Sequence, residues 1–485
     1  MERNGSVGRR GVSDAPAEPA GRVGRRFLTL GLGEAAARLI AFAATVYLAR
    51  RLGADVYGIV VLAAAVLLYA TCVTDCGVSM LGVRDVAHEP GRLSALLPEL
   101  LGARLVVGFV LVVLLAGGGL LLLPSPDGPV LALYALLLLP AALSTRWVYL
   151  GLEQSGPPAA ARVLSEALAA LVIVGLVHGP ADVLRAPLAL LLGEIAGTLL
   201  LLRLLPRGVL RFPRFQPDAA RALFPRAWPL VAHTLLGLLI FNSDFFFLRG
   251  FFDSGAVGRY AVAYTVVSFF LNLGATYEQS LLPAITRLGA APVVQRQLYQ
   301  SALAQVFAVA LPIALGGFLL AGPLLTLVFG SEYGDAARPL AILVWSIPIA
   351  LFRNVAQTAL ISHGRQNRML RTAAWAAGAN LLLNAAVIPL WGMAGAAAAT
   401  VATEAIRAGL ALRFAAQDGL VFSPFQRFWR PVVAGAAMVL TLLLLGGGIG
   451  PVWLAVGAGG AVYLAVLYLV GGLKLQARAL PQLTV

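Results

Sequence analysis

Charge is scarce in this chain. Only 12% of its 485 residues are Asp, Glu, Lys or Arg, where a soluble domain carries about 25%. That excludes an ordinary water-soluble globular protein. Cysteine is nearly absent. Cys72 and Cys76 stand one helical turn apart in an apolar stretch, too few ligands for a metal site, and read as small packing residues. No G-x-x-x-x-G-K-[ST] occurs, so the chain does not bind ATP in that manner.

What is present is apolar length. The chain is 60% hydrophobic, with a mean hydropathy of +0.86. About fourteen stretches approach or exceed the roughly 20 residues that cross a bilayer: 27–49, 56–80, 98–123, 129–151, 159–179, 184–205, 227–249, 258–283, 299–323, 337–361, 369–390, 393–415, 429–448 and 451–472. They are too long and too uniformly apolar for barrel strands, so the expected fold is an all-α integral membrane protein. The net charge of +14 does not point to nucleic acid, because it lies in alternate connections rather than on one face. Nearly all of it is arginine, Lys474 being an exception. One set of connections holds 24 basic residues and the opposite set 6. Positive charge stays on the cytoplasmic side, so both termini are expected there, in a multi-pass protein of the cytoplasmic (inner) membrane. Gly24-Arg25-Arg26-Phe27-Leu28 faintly resembles a twin-arginine export signal. The run that follows carries Glu34 and Arg38 and no convincing cleavage site, so it reads as the first span.

The two halves of the chain look alike. Tyr57-Gly58 and Ala63 follow the first span, and Gly258, Tyr260 and Ala263 follow the seventh. Ser79-Met80-Leu81 leads to Arg84 as Ser280-Leu281-Leu282 leads to Arg287. Gly151-Leu152-Glu153-Gln154 parallels His363-Gly364-Arg365-Gln366. A six-span repeat keeps its orientation, so its copies are expected around an axis along the membrane normal. The organisation read from this is a disordered basic cytoplasmic N-terminus (1–26), an N-lobe (27–205), a cytoplasmic linker (206–226), a C-lobe (227–415), two accessory spans (429–472) and a cytoplasmic tail (473–485).

Several segments match a known pattern. Arg51-Leu52-Gly53-Ala54-Asp55-Val56-Tyr57-Gly58 resembles the "LG…YG" turn of polysaccharide flippases, and Asp75-Cys76-Gly77-Val78 their "D-x-G" ending of the second span. Asp244 with Gly258-Arg259-Tyr260 and Ala263 is similar to their "D…G-x-Y-x-x-A" region, and Leu282-Pro283-Ala284-Ile285 to their proline segment. Asn380 and Asn384, Ile388-Pro389-Leu390-Trp391-Gly392-Met393-Ala394-Gly395-Ala396-Ala397, Ala399-Thr400 and Glu404 resemble their "N-x-x-x-N…IP-x-x-G-x-x-GAA-x-AT…E" signature. The family is the Wzx-type polysaccharide-transporter branch of the MOP superfamily, which also includes the MATE multidrug-extrusion proteins and lipid II flippases. The resemblance runs from about residue 27 to 472. It implies two six-helix lobes around a central cavity. It also implies movement of a polyprenyl-diphosphate-linked oligosaccharide between leaflets, with membrane lipids and a polysaccharide polymerase or other assembly proteins as partners.

Charges inside apolar spans are expensive and usually mark a pathway, a site or a pair. A diphosphate needs cations, and guanidinium binds phosphate oxygens bidentately. Arg38 lies mid-span. Arg104, Arg146 and Arg353 fall in the cytoplasmic halves of theirs, and the four are the candidate diphosphate ligands. Arg146 and Arg162 suit snorkelling to the cytoplasmic interface better than a cavity role, Arg38 and Arg104 the cavity. Glu34 with Arg38, Arg162 with Glu166 and Glu404 with Arg407 have the spacing of same-face helix pairs. Asp244, Glu34, Glu278 and Glu404 are the ion-coupling candidates, with Na+ or H+ as the coupling ion. No other cofactor is expected. The competing readings are a MATE-type drug/ion antiporter, whose cationic substrates favour acids over Arg, and a membrane glycosyltransferase, polymerase or ligase, for which the external connections are too short.

Overall fold

The computed structural model describes residues 20–206, 208–209, 212–288, 291–421, 425–446 and 452–472. The tail 473–485 and residues 1–19 of the N-terminal segment lie outside them. All regular structure among the described residues is helical. The first half holds α1 (Ala20–Asp75), α2 (Val78–His88), α3 (Leu93–Leu122), α4 (Asp127–Leu136), α5 (Leu138–Leu143), α6 (Arg146–Gly151), α7 (Gly156–Leu176) and α8 (Arg185–Arg203). The second holds α9 (Pro217–Phe251), α10 (Ser254–Arg287), α11 (Pro292–Leu319), α12 (Ala321–Phe329), α13 (Ala337–Leu343), α14 (Ser346–Ser362) and α15 (Gln366–Gln417). Two more, α16 (Phe425–Gly446) and α17 (Val452–Leu469), close the chain.

Among the described residues, twelve helical runs are long and apolar enough to cross a bilayer. Two of these, Gly31–His88 at 58 residues and Arg368–Gln417 at 50, exceed one crossing of about 20 residues. Each contains a glycine with non-helical backbone, Gly53 at φ 75° and Gly392 at φ 55°. An L side chain resists that conformation, so the chain turns there. Counting each run as two crossings restores the fourteen that hydropathy implies. The chain is a multi-pass membrane protein.

The internal repeat is visible in the contacts. Gly58 packs on the backbone of Ser254 and Gly258, and Gly258 packs on the backbone of Ala54 and Gly58. With residues 54 and 58 equivalent to 254 and 258, this is the reciprocal pattern that a two-fold axis imposes. The fourth crossing of each half is interrupted. α4 ends at Leu136, four residues before Pro140, and α13 gives way at Val344, four residues before Pro348. Proline has no N–H for the carbonyl four positions back and clashes with it, so the expected spans 129–151 and 337–361 are built from shorter helices. Each then ends in one C-terminal motif: Gln154 N–H donates to Tyr149 O and Arg365 N–H to Leu360 O, around left-handed Glu153 (φ 57°) and Gly364 (φ 68°). The true equivalence is therefore Glu153 with Gly364, one residue off the alignment read from sequence. The match of Ser79–Arg84 with Ser280–Arg287 does not carry into structure. After left-handed Cys76 and Gly77, Val78–His88 is a separate helix, whereas 280–287 completes α10.

The last two helices pack on each other through Ala434, Met438, Leu442, Tyr463 and Leu467. Tyr463 donates its hydroxyl to Ala308 O at 2.6 Å, docking the pair on α11.

Candidate functional site

A chamber of about 430 Å³ lies between the halves, lined among others by Asp75, Ser79, Arg104, Ser144, Glu194 and Thr234. Its walls follow from helix ends. α5 stops at Leu143 and leaves carbonyls unpaired. Arg104, 5% exposed, donates Nη1 to Ser144 O at 3.0 Å and Nη2 to Ala141 O at 2.9 Å, and pairs with Asp75 Oδ1 at 3.3 Å. Asp75 in turn accepts from the backbone N–H and hydroxyl of Ser79 at 3.2 and 2.6 Å, holding the start of α2. The charge of Arg104 is thus met within the wall. Glu194, which accepts from Ser165 at 3.3 Å, gives the chamber a net acidic residue.

Elsewhere in the first half, Arg146 donates to Glu34 at 2.5 Å, and Arg162 pairs with Glu166 at 2.8 Å. The expected Glu34–Arg38 pair does not form, because the carboxylate goes across to α6. Arg38 is half-buried, its Nη1 is fully enclosed, and it has no acceptor among the described residues.

The second half holds two buried polar clusters. Asp244 of α9 is 1% exposed. It accepts from Tyr260 at 2.7 Å, from Thr400 at 2.5 Å and from Asn384 Nδ2 at 2.8 Å. Ser243 donates to Asn380 Oδ1 at 2.7 Å. Asn384 Oδ1 is enclosed with no donor. The second cluster centres on Glu404, which accepts from Arg353 Nε at 2.9 Å and Arg407 at 2.5 Å. Arg353 also donates to Gln357 at 2.9 Å, and the Arg407 guanidinium lies 5.4 Å from the Phe241 ring centre. Glu278, half-buried, accepts from Thr358 at 3.4 Å. His233 falls outside the residues whose side chains are described.

The four candidate arginines therefore do not converge. Arg104 lines the chamber and pairs with Asp75, Arg146 and Arg353 are each held by a carboxylate, and of the four only Arg38 has no carboxylate partner among the described residues. The carboxylates divide likewise, with Glu34 and Glu404 inside ion pairs and Asp244 in a neutral oxygen-rich network.

A family model described as polysaccharide biosynthesis protein matches residues 23–289, more than half of the chain. The chain belongs to this family. It is 25% identical over 204 residues to the probable flippase AglR of Haloferax volcanii. That match covers 41% of this chain and 43% of AglR, so it spans less than half of that relative. Among solved structures it resembles the lipid II flippase MurJ in an inward closed conformation, with a TM-score of 0.75 at 13% identity over 91% of this chain and 98% of that one. It also resembles an inward-facing multidrug resistance MATE transporter of the MOP superfamily, with a TM-score of 0.59 at 14% identity over 79% and 94%. The fold is shared with these two solved transporters.

In this family member the signature residues turn out to be mutual partners. Asn380, Asn384 and Thr400 meet around Asp244, and Glu404 anchors Arg353. Asn380 and Asn384 lie four apart before the Gly392 turn, and Thr400 and Glu404 four apart after it, so each pair shares a face of its own segment, which was the available signal. The helix α2 gave a weaker one. Val78, Leu81, Gly82 and Val86 are its buried face, against Trp147, in a segment too short to register as a span.

Proposed function

We propose that the chain is a flippase that moves a polyprenyl-diphosphate-linked oligosaccharide from the cytoplasmic to the outer leaflet by alternating access between its two halves. On this reading both termini are cytoplasmic, and the Gly53 turn faces outward. The observation that carries it is Arg38, a half-buried arginine whose enclosed Nη1 meets no acceptor among the described residues, in a chain of this family. Such a group is costly unless an anion meets it, and a diphosphate is an anion of suitable geometry. The inter-lobe chamber offers hydroxyls and two acids against one arginine, a surface that suits sugar hydroxyls better than phosphate.

Coupling is assigned to Asp244. One carboxylate, two amide oxygens and a hydroxyl, all buried, form a hard-oxygen set that suits a monovalent cation such as Na+. The same carboxylate could carry H+ instead. A MATE-type antiporter is the second reading, favoured by Glu194 in a chamber whose arginine is already neutralised. The test is gene deletion followed by analysis of the lipid-linked glycan. Its accumulation on the cytoplasmic side supports the flippase. Normal surface polysaccharide with altered drug tolerance supports the antiporter.

A further inference from the structure

The ends of the inter-lobe seam differ. At the Gly53 end, five polar contacts cross from one half to the other. Ala54 N–H, at the start of the second segment of α1, donates to Glu332 Oε1 at 2.7 Å. Tyr333 donates its hydroxyl to Ala49 O at 2.7 Å. Arg50 donates Nε to Val328 O at 2.7 Å and Nη2 to Leu327 O. Arg249 pairs with Asp127 at 3.1 Å. Several of these groups are ones that a helix end leaves without an intrahelical partner. The first half caps the end of α12, and the second half caps both sides of the Gly53 break. Behind them lies the Gly58–Gly258 contact, where a Cβ on either residue would fall on a backbone carbonyl of the other half. Only glycine permits that approach. At the opposite end, which holds the chamber, the contacts across the halves among the described residues include Tyr69 donating to Leu238 O at 3.1 Å, Cys72 Sγ to Val231 O at 3.9 Å and Gly77 against Ala227.

We propose that the Gly53 end is a gate: Gly58 and Gly258 form its seat on the pseudo-two-fold axis, and Glu332, Tyr333, Arg50 and Arg249 form the latch that holds it shut. Opening separates the glycines and hands the Ala54 amide and the Ala49 carbonyl to water, which hydrates both. The caps are therefore reversible, as a covalent or purely apolar seam would not be. The proposal rests on the two-lobe transporter reading and is independent of the glycan.

The experiment uses the full chain in nanodiscs without substrate, with Cys72 and Cys76 changed to Ser. Spin-label distances are measured between Leu122→Cys and Trp391→Cys at the Gly53 end, and between Met80→Cys and Trp228→Cys at the other. The unmodified gate gives one short distance at the Gly53 end. Glu332→Ala removes one charge-assisted hydrogen bond and raises the long-distance population about tenfold or more. Gly58→Leu converts nearly all of the protein. In both variants the distance at the other end shortens in step, which simple loosening of the packing would not produce. Unchanged distances, or broadening without the reciprocal change, overturn the proposal. If Gly58→Leu does not fold, Glu332→Ala decides alone. Because no substrate is present, loss of the flippase reading leaves this result standing, and the reverse also holds.

Discussion

Arg38 should be a residue whose loss helps the fold and harms function. Its enclosed Nη1 meets no acceptor, and leaving such a donor unsatisfied costs about 1–3 kcal/mol, more when it is charged. Arg38→Met keeps an unbranched apolar stem, drops the guanidinium and removes that penalty. The melting temperature of the purified variant should therefore stay level or rise, as is common where an active site is held at the expense of stability. A phosphate group meeting the guanidinium makes charge-assisted hydrogen bonds worth about 1.5–3 kcal/mol each. At about 1.4 kcal/mol per decade, one such bond lost weakens binding about 10- to 100-fold. The assay compares polyprenyl diphosphate with the uncharged polyprenol, for wild type and variant, in detergent. Arg38→Met should lose affinity for the diphosphate and keep that for the alcohol. A variant that melts lower, or that binds the diphosphate as the wild type does, would refute the reasoning.

Other outcomes follow from the same contacts. Glu404→Gln leaves Arg353 and Arg407, 9% and 6% exposed, facing one another without the carboxylate that holds both, and should destabilise the protein by about 3–5 kcal/mol. Adding Arg407→Leu should recover part of that loss in a double-mutant cycle read by thermal denaturation. Asp244→Asn keeps the shape of its network and removes the charge. The wild type should melt higher in NaCl than in choline chloride, and the variant should lose that difference. Equal sensitivity in both would move coupling away from Asp244. Gly82 packs so closely on the Trp147 indole that a Cβ would overlap it. Gly82→Val should therefore cost about 1–3 kcal/mol and expose α2 to trypsin, which equal digestion rates would contradict.

The fold was largely legible because a bilayer demands long apolar helices and punishes charge, so hydropathy and arginine alternation marked the crossings. Gly53 and Gly392 fell between predicted spans, and the structure turns at both. Proline effects were less visible. Pro140 and Pro348 end helices within spans that hydropathy reads as continuous. The site was legible in its residue types but not in its pairings. Arg146 and Glu34 lie 112 positions apart, and nothing local reveals that Glu34 prefers α6 to the arginine one turn away. Asp244 was found from its position in an apolar span. Its partners Asn384 and Thr400, 140 and 156 residues away, were visible only as members of a motif. The acidic balance of the chamber went unseen, because the sequence shows Arg104 but not the carbonyls and carboxylate that occupy it.

The most direct test is reconstitution of the purified chain in liposomes that carry a fluorescent polyprenyl-diphosphate-linked oligosaccharide in both leaflets. A membrane-impermeant quencher, added outside, reports how much becomes accessible. The account predicts that the quenched share rises from about half toward completion only when the protein is present, and that Arg38→Met abolishes the rise. Quenching that stops at the outer leaflet with active protein, alongside proton- or sodium-driven export of a cationic dye, would contradict it.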